Sequence, residues 1–329
     1  MEMDLAKPEQ LQFLSLWGLV RESVKVIRSH GKLFLALTMT FILPLWILSF
    51  GYTLITLPIS NRIIMDQFGL SFARPDPGIE ERIVEDLHRE LGKLLIVTVA
   101  FLVASVAFSP LLTSAIAYSV ACIYSEQITS YKKVLNFVPR VWTRLMFTFF
   151  WAILTIFMSG FLSTILIVIL AAMLALIFQA SKVVIIVVVC VGMVCLLVGT
   201  FYLSCVWRLA NVVTVLEENC GLGAMRRSLH LIQGKRFVAC GLFFMYSILI
   251  SLVYRMSLVQ AMSSSVVWRT FSGCVFILLM SIVELIGLVL QTVFYFACKA
   301  HHHESIDRLQ LSEHIGSYLG ENVPLKENI

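Results

Sequence analysis

The sequence predicts an all-α protein: a polytopic membrane helix bundle of six transmembrane helices, with amphipathic interfacial helices on its cytosolic side. Three observations carry this prediction. Of 329 residues, 59% are hydrophobic and only 14% charged, and the mean hydropathy is +0.90; soluble domains carry about 25% charge. Six stretches are long and apolar enough to cross a hydrocarbon core, for which roughly 20 residues suffice. Lys and Arg, finally, collect in alternate loops, as the positive-inside rule requires. A soluble fold could not hide this much apolar surface, which excludes an ordinary cytosolic enzyme or a disordered chain. The net charge of +5, from 25 Lys+Arg against 20 Asp+Glu, is too mild for a nucleic-acid footprint, so no nucleic-acid partner is expected.

The spans follow in order. The first covers residues 33–57, between Lys32 and Pro58, and the second 94–124, after Lys93. The third, 145–178, follows Arg144 and is long enough to need tilt or a break near Gly160. The fourth, 183–207, is closed by Arg208, and only Gln179 to Lys182 separate it from the third, which predicts a tight helical hairpin. The fifth, 237–254, lies between Arg236 and Arg255, and the sixth, 274–298, is closed by Lys299. Pro44 and Pro110 fall within spans, where each removes a backbone donor and kinks its helix. Residues 1–300 thus form one membrane domain and 301–329 a short polar tail.

Counting Lys and Arg by side gives 17 on the face shared by both termini and eight on the other. Both termini are therefore expected in the cytosol. The loop after the first span adds seven acidic residues between Asp66 and Glu90, and its stretch 82–93, with Ile83, Leu87 and Leu91, reads as a short amphipathic helix on the opposite surface. A polar, charged segment precedes the first apolar run, so no secretory signal peptide is expected. The first span then acts as a signal anchor, which favours the endoplasmic reticulum, wider endomembrane or plasma membrane. The eight cysteines lie mostly within spans, without any CxxC spacing, and read as small packing residues; Cys298, at a span end, is a palmitoylation candidate.

Each cytosolic segment is basic and feeds directly into a span. Leu14, Trp17, Val20, Val24 and Ile27 recur at helical spacing beside Arg21, Lys25 and Arg28. Val134, Phe137, Val141 and Leu145 repeat the plan, interrupted by Pro139, with Lys132, Lys133 and Arg140 alongside. In the third segment, 209–217 and 224–233 read as two helices around the turn Cys220-Gly221-Leu222-Gly223. Gly31-Lys32-Leu33-Phe34 is echoed by Gly234-Lys235-Arg236-Phe237. The chain can therefore be read as three copies of an interfacial helix followed by a hairpin, or as three segments made alike by entering a membrane.

Few residues carry legible chemistry. Glu284 falls about ten residues into the sixth span, where a carboxylate is costly unless protonated, paired or wetted. Ser281 and Gln291 extend it into a polar stripe, read either as interhelical glue or as a transport path. Glu217 and Glu218 precede the glycine turn and Arg226 and Arg227 follow it, a spacing that lets ion pairs clasp two short helices. Arg226, Arg227, Lys235 and Arg236 can also face anionic headgroups, as can Lys132, Lys133 and Arg140. Gly221 and Gly223 lack the Gly-Lys-Ser/Thr ending of a phosphate loop. His301-His302-His303-Glu304 is a single tandem run, too little for a closed ligand set. No catalytic arrangement, metal site or cofactor is therefore expected. Membrane lipids are the expected partners, together with a second copy of the chain or another protein.

Two stretches resemble known families. The tail Phe294-Tyr295-Phe296-Ala297-Cys298-Lys299-Ala300-His301-His302-His303-Glu304, with Tyr318-Leu319-Gly320-Glu321-Asn322-Val323-Pro324 after it, resembles the C-terminus of a land-plant family of multipass membrane proteins. Pro8 to Leu14 is similar to its N-terminus. Some members carry a label as binding partners of polyadenylate-binding protein, which these residues do not support. The stretch Val215 to Ser228 is similar to the membrane domain found beside bacterial glycerophosphodiester phosphodiesterases. Nothing here matches the hydrolase's His and Glu pattern, so that activity is not carried over. The resemblance implies a six-helix bundle.

Overall fold

The computed structural model describes residues 8–72, 77–125, 130–176, 181–261 and 266–302. Among them every regular element is helical. The predicted tail from residue 303 onward lies outside the described residues.

A 3₁₀ turn, Pro8–Phe13, leads into α1 (Leu16–Ser29), whose first turn is capped by Ser15, its hydroxyl accepting from the Gly18 N–H at 3.4 Å. α2 (Gly31–Leu37) follows at once, then a π-helical turn (Thr38–Ile42) and α3 (Leu43–Phe72). The π turn immediately precedes Pro44, whose missing N–H would have met the Thr40 carbonyl; a wider turn there relieves the mismatch. Next come α4 (Pro77–Tyr124), α5 (Tyr131–Leu176) and α6 (Lys182–Leu216). The last three are α7 (Gly221–Ile232), α8 (Arg236–Ala261) and α9 (Val266–His301).

Among the described residues six helical segments are long and apolar enough to span a membrane: Gly31–Met65, Ile83–Tyr124, Tyr131–Leu176, Lys182–Leu216, Arg236–Leu258 and Val267–His301. Several helices outrun the expected limits. α3 continues through Pro58, and α5 runs through Pro139 without the expected interruption. The predicted separate helix at 82–93 is instead the beginning of α4. Helix continuation is the cheaper course where leaving the ladder would strand several carbonyls, and a proline strands only one.

The chain divides into two compact units. The first gathers residues 1–33, 113–246 and 286–329. Its core is built from the buried face of α1 (Leu19, Val26), the end of α4 (Ala115 to Tyr124), the start of α5 (Val134, Phe137, Val138, Val141, Leu145) and the end of α6 (Cys205 to Leu216). Ala224, Leu231 and Ile232 of α7 and Val293 to Cys298 of α9 complete it. Tyr118 stacks on Phe137 at 4.2 Å, and Tyr124 meets Phe296 at 5.3 Å. α5 and α6 pack along one another as a hairpin. Beyond this core the most apolar stretch of each is 0% buried, against 44% for that of α9, so the hairpin offers its outer faces to lipid. A groove of about 520 Å³ runs between the two, walled by Ser159, Ile167, Gly192, Cys195 and Tyr202 among others.

The second unit holds residues 34–112 and 247–285. Tyr52 stacks on Phe101 at 4.3 Å while its hydroxyl lies 3.2 Å from Thr98 Oγ1. Phe276 packs against Trp46, Phe50 and Tyr254. Glu90, 8% exposed, meets Lys93 at 2.8 Å and Arg62 at 3.7 Å.

One close approach in the first unit is decided by a missing side chain. A Cβ on Gly287 would fall 2.2 Å from Tyr246 Cε2, so α8 and α9 meet only because that position is empty. Gly287→Ala should destabilise the detergent-solubilised protein by about 1–3 kcal/mol, the usual cost of overpacking, read as a lower thermal midpoint. A wild-type midpoint would mean that Tyr246 swings aside without cost.

Candidate functional site

Among the described residues of the first unit, a polar constellation is centred on Glu217, the residue that ends α6. α6 stops here because its C-terminal carbonyls need partners and Gly221, at φ +57°, allows the chain to turn back into α7. Glu217 Oε2 accepts from Arg227 Nε at 3.1 Å and from Asn219 Nδ2 at 3.3 Å. Its Oε1 accepts from the Tyr295 hydroxyl of α9 at 2.8 Å. The Glu217 main-chain carbonyl accepts from Arg144 Nη2 of α5 at 3.2 Å. One turn away the Gly221 N–H donates to Thr148 Oγ1 at 2.9 Å, and that hydroxyl lies 3.1 Å from Thr214 Oγ1. A Cβ at Gly221 would fall 2.9 Å from Phe147, so the turn fits only glycine on two counts. The Ser228 hydroxyl of α7 donates to the Val206 carbonyl of α6 at 3.0 Å. Four helices, α5, α6, α7 and α9, are thus joined through one half-buried carboxylate and its neighbours.

A second node uses a main-chain acceptor. The Gln291 amide donates to the Arg208 carbonyl of α6. The Arg208 guanidinium in turn lies over the Tyr246 ring, 4.6 Å from its centroid, a cation–π contact that keeps a charge within an apolar neighbourhood. A third cluster closes the end of α7. Gly234, at φ +88°, leaves room for His301, which a Cβ would meet at 2.6 Å. His302 Nε2 lies 3.3 Å from the Leu231 carbonyl, and its ring is 5.0 Å from that of His230. Lys235, only 8% exposed, follows the turn; burial holds its ammonium below the ordinary lysine value of 10.5.

The sequence-predicted residues fare differently. Glu217 and Arg227 come together as the clasp requires, whereas Glu218 and Arg226 are exposed. Lys132, Lys133, Arg140 and Arg236 are exposed, as headgroup contacts need to be. Lys235 departs from that expectation: the Gly234 turn folds it under, into the protein. Cys298 is likewise fully buried, which withdraws it as a palmitoylation candidate. Ser281 is buried and donates to its own helix at Ile277, 2.7 Å away, and Glu284 is half-buried in the second unit. His301 and His302 join no group of three metal-ligating side chains among the described residues; His303 and Glu304 lie outside them. Sequence reasoning missed Thr148, Thr214, Tyr295 and Tyr246, and counted Arg144 and Arg208 only as loop charges. Their partners lie 38 to 83 residues away, and two of those contacts use a main-chain carbonyl, so none leaves a local pattern.

A family model described as Domain of unknown function (DUF8558) matches residues 3–329. No curated protein and no solved structure matches this chain.

Two expectations follow from this geometry. Tyr295→Phe removes one hydrogen bond to a charged acceptor and should cost about 1.5–3 kcal/mol, and Arg227→Met a similar amount. Because both act on Glu217, the double variant should depart from additivity; a strictly additive thermal-unfolding cycle would dissolve the clasp into independent contacts. Lys235 sets a pH dependence. A base whose native-state value is lowered is destabilised by protonation, so stability is lost as pH falls from 10.5 towards the native value and is flat below it. The thermal midpoint should therefore rise on alkaline titration towards 10.5, and Lys235→Met should flatten that rise. An equally steep rise in the variant would assign the titration to another group.

Proposed function

We propose that this chain, which belongs to the DUF8558 family of domains of unknown function, is a non-enzymatic membrane scaffold that organises acidic lipids and partner proteins along one face. The observation that carries the reading is how its polar side chains are used. Glu217, Arg227, Tyr295 and Gln291 are spent on bonds between helices, and the groove between α5 and α6 is walled mostly by apolar atoms. An enzyme or a carrier needs polar groups left over to meet a substrate.

The same reading puts both termini in the cytosol. Its support is that the four basic segments come from three separate stretches of chain and yet belong to one compact unit, while Arg62, Arg89, Lys93, Arg255 and Arg269 belong to the other and Lys182, counted with them, falls in the first. Exposed Lys132, Lys133, Arg140, Arg226 and Arg236 then meet anionic headgroups, at about 1 kcal/mol each near the surface. The resemblance to a land-plant membrane family favours an endomembrane location, either the endoplasmic reticulum or a compartment reached from it, and the bare α5–α6 hairpin leaves room for a second copy of the chain. The rival reading, a transporter or channel along Ser281, Glu284 and Gln291, loses two of its three residues to hydrogen bonds with helix carbonyls.

The scaffold reading is tested by reconstituting the full chain in phosphatidylcholine vesicles that contain labelled phosphatidylserine. Energy transfer from labelled protein should show phosphatidylserine enriched around it relative to phosphatidylcholine. Equal transfer to both lipids would sink the reading. An ion flux that wild type supports and Glu284→Gln abolishes would favour the carrier instead.

A further inference from the structure

The most exposed aromatic side chains among the described residues flank one contact. Phe237 is 94% exposed, Phe13 84% and Trp17 73%. Leu16, beside Trp17, packs where a Gly241 side chain would be, with its Cδ1 at 2.7 Å from that Cβ position. Phe237 lies one turn before Gly241 on the same face of α8, and Phe13 ends the 3₁₀ turn three residues before Leu16. Two distant segments of the chain therefore present their bare aromatics at the same place.

Charge surrounds them. Arg21 follows Trp17 by one helical turn and Arg28 by three, on the α1 face opposite buried Leu19, Glu22, Ser23 and Val26. Arg21, Arg28 and Arg236 are all exposed. One face of α1 thus belongs to the protein core, and the other carries a tryptophan followed by guanidiniums.

The ends of α1 set its depth. Its C-terminus passes through His30 directly into Gly31, the first residue of one membrane-crossing segment. Its N-terminus rests on Gly241, in the second turn of another, Arg236–Leu258. A helix of 14 residues, about 21 Å long, whose ends adjoin the first turns of two such segments, is suited to the membrane surface. Aromatic rings and arginines are the side chains that this layer selects: the rings settle at headgroup level, and guanidinium forks bind phosphate oxygens.

We propose that the edge formed by Phe13, Trp17 and Phe237 with Arg21, Arg28 and Arg236 binds the headgroup of an acidic phospholipid in the membrane the chain spans. The aromatics fix the depth of α1 and the arginines take the phosphate. This rests on the lipid-organising reading above and gives it an address.

The test uses the full chain in phosphatidylcholine vesicles containing phosphatidylserine. The Trp17 signal is isolated as the difference in emission between wild type and Trp17→Phe. A spin label on the lipid headgroup should quench that signal more than a label deep in the acyl chain or aqueous acrylamide. After gentle detergent release, native mass spectrometry should find phosphatidylserine retained over phosphatidylcholine, with retention falling about five-fold for each of Arg21→Gln and Arg236→Gln. Arg21→Lys should retain most of it, and all variants should keep the wild-type thermal midpoint. Quenching by acrylamide alone, or unchanged retention in the double variant, would overturn the site. Lipid enrichment around wild type that survives loss of the site would leave the scaffold reading standing, whereas a working site without enrichment would remove that reading and keep the site.

Discussion

A carboxylate that is mostly removed from water must be paired, and in this chain that demand falls on Glu217. Its side chain is 15% exposed and that of Arg227 26%, enough shielding for the pair to matter and too much for either charge to be abandoned cheaply. The acceptor positions are then shared out: Arg227 and Asn219 on one oxygen, Tyr295 on the other, and Arg144 on the main-chain carbonyl. Apolar packing alone would let these helices slide, since hydrocarbon contacts have little direction and lipid tails compete for them. The directional bonds at Glu217 set the register in which the apolar faces of α5, α6, α7 and α9 meet.

What could be read in advance follows from how far each signal extends along the chain. Hydropathy summed over a span is a property of one segment, and so the six membrane-crossing helices were visible. The pairing of Glu217 with Arg227 was also visible, because only ten residues and a glycine turn separate them. Tyr295 was not: it stands 78 residues from Glu217, inside a run that reads as span. Gln291 stood out as a polar residue in an apolar helix, yet its partner is a backbone carbonyl, which every residue possesses and no sequence marks. Prolines misled in the other direction. Pro58 and Pro139 read as boundaries but fall within continuous helices, because a helix that runs on gives up one bond at a proline, whereas a break leaves several carbonyls without partners. Lys235 was counted with the surface cations, and only the path of the chain through Gly234 reveals that it faces inward.

The first unit uses its polar residues in two ways, divided by exposure. Those turned inward connect helix to helix, as Thr148 does with Thr214 and Gly221. Those turned outward, Arg21, Arg140, Arg226 and Arg236 among them, leave their charge available to whatever lies against the surface. α1 shows the division within a single helix, with Ser23 bonded to the Leu19 carbonyl at 2.8 Å on its buried side and Trp17 bare on the other.

The first unit is assembled from three stretches that the chain visits at widely separated times: residues 1–33, 113–246 and 286–329. During synthesis the α5–α6 hairpin enters the bilayer long before α9 exists, and it can do so alone, since its long apolar faces ask for no helical partner beyond each other. Glu217, however, leaves the ribosome 78 residues ahead of Tyr295, and the Arg208 carbonyl 83 residues ahead of Gln291. Every intermediate therefore carries an incomplete set of partners until α9 docks. α9 thus acts as a keystone for this unit, since its arrival is the one event that satisfies both Glu217 and the Arg208 carbonyl.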